Sequence, residues 1–462
     1  MIPVHYVSRI FGTIALTLLL SGCGGGGGSS SSSSTPPPEP LPSEDPEPLI
    51  SINLSLRVGP LPLLVIRVAY SDRAFVSDAQ TWSDKFFGTS LHQLNDYYYE
   101  ASNGKFQFGP AQETQNNALL SDGVITVTLN KPHPDTSSSA TLQPDLAAAV
   151  MAADPYINFA GYDSNGDGGI STDELQIIFI IAGYEDAYSG GSDVPGVWAH
   201  SSCTSTTNTP RPDGVGLLGC AVGGSYSLFG ERHGSHDATI GIIAHELGHA
   251  AFLLPDLYDT DGSSSGLGYF GLMASGSWGT ANSSEYTGAT PTHPCAWSKI
   301  AMGWVSPQVV SNLSNVSVSL FQSASVSSNI IKLPISDTEY FLLENRDNSG
   351  YDRGLYKLGG EFDGGLAILH VDEAVITAKD PSNTVNNNEA HKGVDLEEAA
   401  YAQLDTGGYG HERNLYYSGN RDAFSPTTDP NSDSYVSSGT GISISGISAR
   451  GAVMQATITN PN

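Results

Sequence analysis

The sequence predicts an α+β protein in two parts, with residues 56–310 mixed in texture and residues 311–462 rich in β-strand. Three observations carry this expectation. Residues 63–69 (LLVIRVA) and 176–183 (QIIFIIAG) are short continuous apolar runs, the mark of strands buried on both faces. Residues 83–102 and 240–252 instead read as helical, the first with aromatic and aliphatic residues at three- and four-residue spacing. Beyond about residue 311 the pattern becomes one of alternating strands, at 316–321, 330–334, 340–344, 366–372 and 442–458 with glycine breaks.

From the N-terminus, Arg9 precedes an apolar run at 10–20, shorter than the ~20 residues a membrane span needs but suited to a signal peptide. Leu20-Ser21-Gly22-Cys23 looks like a bacterial lipobox, which makes residues 1–22 a lipoprotein signal peptide and Cys23 the lipidated residue. Residues 23–55 carry an unbroken glycine run, an unbroken serine run and a Pro- and Glu-rich stretch. Such a composition buries no apolar surface and serves as a tether. In the folded body, the stripe Trp82, Phe86, Phe87, Leu91, Leu94 and Tyr98 reads as core, and Asn103-Gly104 ends the helix. An exported chain permits disulfides. Cys203 and Cys220 bracket a Thr/Pro/Gly-rich loop and form the expected bridge, with Cys295 left as a small buried apolar residue. A formal charge of −29, from 19 Lys+Arg against 48 Asp+Glu, argues against nucleic acid as a partner and favours bound cations.

The chemistry concentrates at His245-Glu246-Leu247-Gly248-His249, an H-E-x-x-H pattern on the helix expected at 240–252, with Asp237 and Thr239 as candidate caps. Residues i and i+4 share one helix face, so both imidazoles can present nitrogen to a single zinc while Glu246 acts as general base on a zinc-activated water. His200, His233 and His236 are further donors, each read as a loop or core histidine. A second motif, Asp163 to Glu174, fits the D-x-[DN]-x-[DN]-G-x5-E calcium loop at every position. Asp163, Asn165 and Asp167 offer side-chain oxygens, Gly169 a carbonyl, Ser171 itself or through water, and Glu174 two carboxylate oxygens, while Gly168 permits the sharp turn. The expected role of Ca2+ there is structural.

Together with GLMASGSW (271–278), AWSKIAMGW (296–304), LNDYYYEASNGKFQF (94–108), LLENR (342–346) and GLAILHVDE (365–373), the segment HELGHAAFLLPDLYD (245–259) resembles the immune inhibitor A family of zinc metallopeptidases. The resemblance implies a metzincin-like catalytic domain in residues 56–310, with Met273 in a turn beneath the zinc and the Asp of the L-P-D-x-Y block, here Asp256, as third ligand. The spacing from His249 to Asp256 is one residue longer than the family's usual pattern, and Phe252 stands where a turn-forming glycine is expected. Asp259 or Asp261 as ligand, or a second Ca2+ held by all three aspartates, stay open as alternatives. The resulting expectation is a monomeric zinc endopeptidase acting on extracellular protein or peptide substrates. It would be lipid-anchored to the bacterial cell envelope, at the outer membrane or cell surface, or released from it. The alternative is a non-catalytic binding lipoprotein on a metallopeptidase fold, against which the presence of Glu246 argues.

Overall fold

A computed structural model describes residues 60–115, 121–359 and 362–462. The signal segment, Cys23 and the tether lie outside the described residues.

The protein is a mixed α/β fold. Its first sheet is built around the Leu61–Tyr70 strand, which pairs in parallel with Val124–Leu129 and Gln176–Glu185. Gln176–Glu185 pairs in parallel with Tyr226–His233, whose other edge is closed by antiparallel His200–Ser202. Side chains alternate across the central strand. Leu61, Leu63 and Val65 enter the core that holds the Ala79–Phe87, Leu94–Ala101 and Ile240–Phe252 helices. Leu64, Ile66 and Val68 enter a second core against the Ser139–Ala153 helix. Cover on both faces is the reason these strands are apolar without alternation.

The single helix expected at 83–102 is two helices, Ala79–Phe87 and Leu94–Ala101. Asp78 caps the first by accepting from Thr81 N–H at 2.8 Å. Between them the chain turns, with Ser90 C=O accepting from Gln93 N–H at 3.0 Å and His92 at φ +70°. The aromatic stripe continues across this break because both helices bury against one core, where Trp82, Phe86, Leu94 and Tyr98 are fully enclosed. Leu91, assigned to that stripe, lies in the turn and is 48 % exposed.

In the second half, Glu339–Arg346 and Gly365–Asp372 pair antiparallel at the centre of a five-stranded sheet and are buried at every residue. Tyr340, Leu342, Ala367 and Leu369 face the core of the Ile240–Phe252 helix. Phe341, Leu343, Leu366 and Ile368 face a three-stranded sheet of Leu313–Phe321, Val453–Asn460 and Ser443–Ser445. A buried ionic cluster ties this sheet to the segments before it. Arg346 donates to both Asp352 oxygens, at 2.6 and 2.5 Å, and to Phe270 C=O at 2.7 Å, while Lys299 Nζ donates to Glu344 at 2.5 Å.

The Ile240–Phe252 helix has the expected bounds but not the expected caps. Thr239 is its N-cap residue, yet its hydroxyl donates to Thr287 C=O at 2.8 Å, and Asp237 pairs with Arg232. The N-terminal Gly241 N–H is instead satisfied by Gly288 C=O at 2.9 Å. At the other end Leu253, not a glycine at 252, adopts the left-handed conformation (φ +56°, ψ +29°). Its N–H donates to His249 C=O at 3.0 Å and that of Leu254 to Gly248 C=O at 3.2 Å, closing the helix one residue later than the family spacing implies.

Two predictions follow from this scaffold. Left-handed backbone disfavours Leu by roughly 1–2 kcal/mol, and Leu253 is 39 % exposed, so little packing depends on it. Leu253→Gly should therefore raise stability by about 0.5 kcal/mol, while Leu253→Val lowers it by about 1 kcal/mol, read from urea midpoints of the metal-free protein. The second concerns His370, which bridges Glu339 at 2.9 Å and Glu397 at 3.2 Å. Burial alone would lower His370, but these two carboxylates outweigh it and raise the imidazole to about 9 from its ordinary 6.5. Burial likewise opposes ionisation of Glu339, yet His370 and Ser434 bring it down to about 2 from 4.5. The His370 contribution is complete below pH 6.5 and is lost as pH rises through 9; that of Glu339 is complete above pH 4.5 and is lost as pH falls through 2. The pair's own contribution is thus flat from pH 4.5 to 6.5 and declines on both sides, so the stability lost in His370→Gln relative to the wild type should be greatest in that window and shrink as pH rises through 9.

Candidate metal centre and cleft

His245 and His249 lie one helical turn apart on a helix buried along its whole length. Their Nε2 atoms are 3.3 Å apart, and Asp256 Oδ1 is 3.1 Å from each. Among the described residues this is the one group of three His, Cys, Asp or Glu ligand atoms within 4.8 Å of one another. The left-handed turn at Leu253 absorbs the extra residue and returns the chain to the histidines. Neither Asp259 nor Asp261 joins them. Asp259 accepts from Ser263 Oγ and Ser264 N–H, both at 2.7 Å, and from Asp261 N–H at 3.0 Å, which closes its own turn.

The surroundings decide which atoms face inward. His245 Nδ1 donates to Leu272 C=O at 3.0 Å and His249 Nδ1 to Leu254 C=O at 2.6 Å. A carbonyl only accepts, so each Nδ1 carries a proton and Nε2 is the nitrogen turned inward, the one whose lone pair the neutral ring would offer a metal. With both rings neutral, two lone pairs and a carboxylate oxygen meet there, an arrangement that repels itself unless a positive charge, a proton or a metal ion, sits among them. Electrostatics gives the same sign. Burial alone lowers the His245 imidazole, but Asp256 outweighs it and raises it to about 9; burial also opposes ionisation of Asp256, which the two imidazoles hold well below the usual carboxylate range. Two imidazoles and a carboxylate fit a divalent ion of the zinc class.

Further elements fix this geometry. Tyr98 Oη donates to Ala244 C=O at 2.9 Å and Ser227 Oγ to Glu246 C=O at 3.0 Å, which seats the helix between its neighbours. Met273 is fully buried beneath it. A Cβ on Gly248, one residue before His249, would fall 2.5 Å from Met273 Sδ, so any larger residue there would push the thioether aside. Met273 C=O accepts from Leu257 N–H at 2.7 Å, next to Asp256.

Asn383 was not foreseen from the sequence. Its amide accepts from Asp256 N–H at 2.9 Å and donates to Asp256 Oδ2 at 2.5 Å. The local signal, a run of asparagines after Asp380-Pro381, indicates only a turn.

His245 and Glu246 line a cleft of about 780 Å3, with Tyr188, Trp198, Tyr258, Tyr269, Trp278 and Tyr409 among its walls. The Tyr258 ring lies 6.3 Å from that of His245 at an interplanar angle of 25°. The other histidines lie elsewhere. His200 donates to Trp198 C=O at 2.9 Å and is held down at about 4 by burial, His233 stacks on Tyr188 at 4.4 Å, and His236 stacks on Tyr286 at 3.7 Å.

The loop from Asp163 to Glu174 is wound on itself. Asp163 accepts from the N–H groups of Gly166, Asp167 and Gly168 at 2.9–3.1 Å, and Gly166 and Gly168 take φ of +74° and +82°. Glu174 reaches back to Ser164 and Ser171, accepting from the N–H and hydroxyl of each at 2.9–3.0 Å. Asn165 Nδ2 donates to Asp167 at 3.0 Å. Asp163, Asp167 and Glu174 therefore serve the loop's own backbone and do not converge as the histidines and Asp256 do. The loop is stitched to a neighbour by Ile170 N–H donating to Gly216 C=O at 2.8 Å, within the segment closed by the Cys203–Cys220 disulfide; Cys295 is free and buried.

Comparison with known proteins places this geometry in a family. Residues 67–305 match the immune inhibitor A peptidase M6 catalytic domain. Pre-pro-metalloprotease PrtV of Vibrio cholerae serotype O1 is 26 % identical over 247 residues, 50 % of this chain and 25 % of that protein. Immune inhibitor A of Bacillus thuringiensis subsp. alesti is 27 % identical over 234 residues, 44 % of this chain and 31 % of its own length. These alignments thus span a quarter to a third of the relatives. Wild-type OgpA from Akkermansia muciniphila aligns over 63 % of this chain and 73 % of its own at 14 % identity, with a TM-score of 0.28 that is too low to bear on fold or site. On the catalytic-domain match, which covers more than half of its residues, the chain belongs to the immune inhibitor A (M6) peptidase family.

Proposed function

We propose that the chain is a zinc-dependent endopeptidase whose metal is held by His245, His249 and Asp256 and whose general base is Glu246. The observation that carries this reading is the approach of two imidazole nitrogens and one carboxylate oxygen to 3.1–3.3 Å beside a cleft that Glu246 lines. Held by His245, His249 and Asp256, a zinc ion would supply the Lewis acidity that polarises the scissile carbonyl and acidifies the attacking water. Glu246 takes the proton of that water and delivers it to the leaving amine. The aromatic cleft walls offer apolar faces to the side chains of an extended polypeptide. Met273 supports the helix from below, in the manner of a metzincin turn.

The same proposal makes the protein an exported monomer, anchored to the bacterial cell envelope through Cys23 and its tether, with extracellular proteins as substrates. The Cys203–Cys220 bridge suits an oxidising compartment. Ca2+ at Asp163 to Glu174, with oxygens from Asn165, Asp167, Gly169 and Ser171, would brace the loop against the disulfide segment.

Casein cleavage by the soluble body should stop on zinc chelation and return with zinc. Glu246→Gln should slow it by about 10²–10⁴-fold while still binding zinc. Zinc binding without cleavage of casein, gelatin or a varied peptide library would overturn the peptidase reading in favour of a binding lipoprotein. For the loop, millimolar Ca2+ should raise the melting temperature of the wild type and not of Asp163→Ala or Glu174→Gln. An equal rise in all three, or none in the wild type, refutes that site.

A further inference from the structure

Resting on the metal site just proposed, we infer that Asn383 is the residue that orients Asp256 as a ligand, so that the centre is completed by one asparagine from the second half of the chain. The carboxylate has two oxygens and a free torsion. Asn383 Nδ2 holds Oδ2 at 2.5 Å and Asn383 Oδ1 holds the Asp256 backbone N–H at 2.9 Å. This two-point grip leaves Oδ1 as the oxygen that faces the imidazoles, 3.1 Å from each Nε2. Both partners are buried, Asp256 fully and Asn383 to within 4 % exposure. A hydrogen bond from a neutral amide in such surroundings fixes the carboxylate without adding charge, and ligand-orienting partners of this kind alter metal affinity by about 10–100-fold.

Asn383 is itself held. It takes the left-handed conformation at φ +53°, which asparagine tolerates better than most residues, and its C=O accepts from Thr260 Oγ at 3.1 Å. Asn387 Oδ1 accepts from Thr260 N–H at 3.1 Å, and Asn386 Nδ2 donates to Leu257 C=O at 2.9 Å. The strip therefore lines the backbone that carries the third ligand, yet only Asn383 touches the ligating group. All three asparagines lie beyond the family's catalytic-domain match, which ends at residue 305.

The test uses zinc affinity, by competition with a chromogenic chelator, and the visible spectrum of the cobalt-substituted protein, neither of which needs turnover. Asn383→Gly keeps the backbone conformation and removes the amide. Asn383→Asp, nearly isosteric and also tolerant of that conformation, replaces the donor with a like charge and covers the case in which the glycine variant unfolds. Both should bind zinc about 10–100-fold more weakly and shift the cobalt bands, whereas Asn386→Ala, which loosens the same segment without touching Asp256, should keep wild-type affinity and spectrum. Wild-type affinity and bands in the Asn383 variants, or an equal loss in Asn386→Ala, would overturn the inference and leave the strip merely structural. A wild type that binds no zinc or cobalt would overturn the metal site and this inference with it. Tight binding without peptide cleavage would refute the peptidase reading alone.

Discussion

Three electron-rich atoms held within 3.3 Å of one another, out of water, are the constraint around which the rest of this protein is arranged. Left to themselves, two imidazole nitrogens and a carboxylate would separate and seek solvent. Here each is held from behind, His245 and His249 by backbone carbonyls on Nδ1 and Asp256 by the Asn383 amide. The carbonyls belong to the turn before Met273 and to the turn after Leu253, so the same two turns set both the tautomer of the histidines and the return of Asp256.

That arrangement needs a rigid helix, and the fold supplies one by enclosing it on every side. Parallel strands form the floor, with Ser227 bonded to the helix backbone, while Tyr98 reaches the helix from a neighbouring one. The sheet of Glu339–Arg346 and Gly365–Asp372 shares the helix's core on one face and packs a further sheet on the other. The buried Lys299–Glu344 pair and the Arg346 bond to Phe270 C=O lock that wall to the segments preceding it, while Arg346–Asp352 fixes the connection between its two strands; removing one partner of either pair would strand the other charge in the interior. The apolar core around the metal ligands thus draws on residues on both sides of position 310.

Much of the first-order design is legible in the chain. The helix at 240–252 and the strands begun at 61 and 176 show in hydrophobic patterning because each is buried against its neighbours, and burial is what patterning records. The histidine pair shows because four residues make one turn of helix. The break between residues 87 and 94 did not show, since two helices packed on a single core keep one stripe in phase. Nor did the caps of the Ile240–Phe252 helix, whose orphan N–H is satisfied by a carbonyl from residue 288.

By itself, then, the sequence determined what local periodicity and short motifs can encode: the mixed α/β character, the buried strands, the H-E-x-x-H helix and the M6 family blocks. Only the tertiary structure decided which aspartate stands beside the histidines and what holds it there. A leucine rather than a glycine makes the left-handed turn, which no propensity would choose, and the N–H groups of Leu253 and Leu254 close it on the carbonyls of His249 and Gly248. Asn383 is 127 residues from Asp256 along the chain, and their hydrogen bonds exist only because the folded second half brings them together. Pattern reads what a segment does with its neighbours in sequence; contacts between distant segments are settled when the core closes.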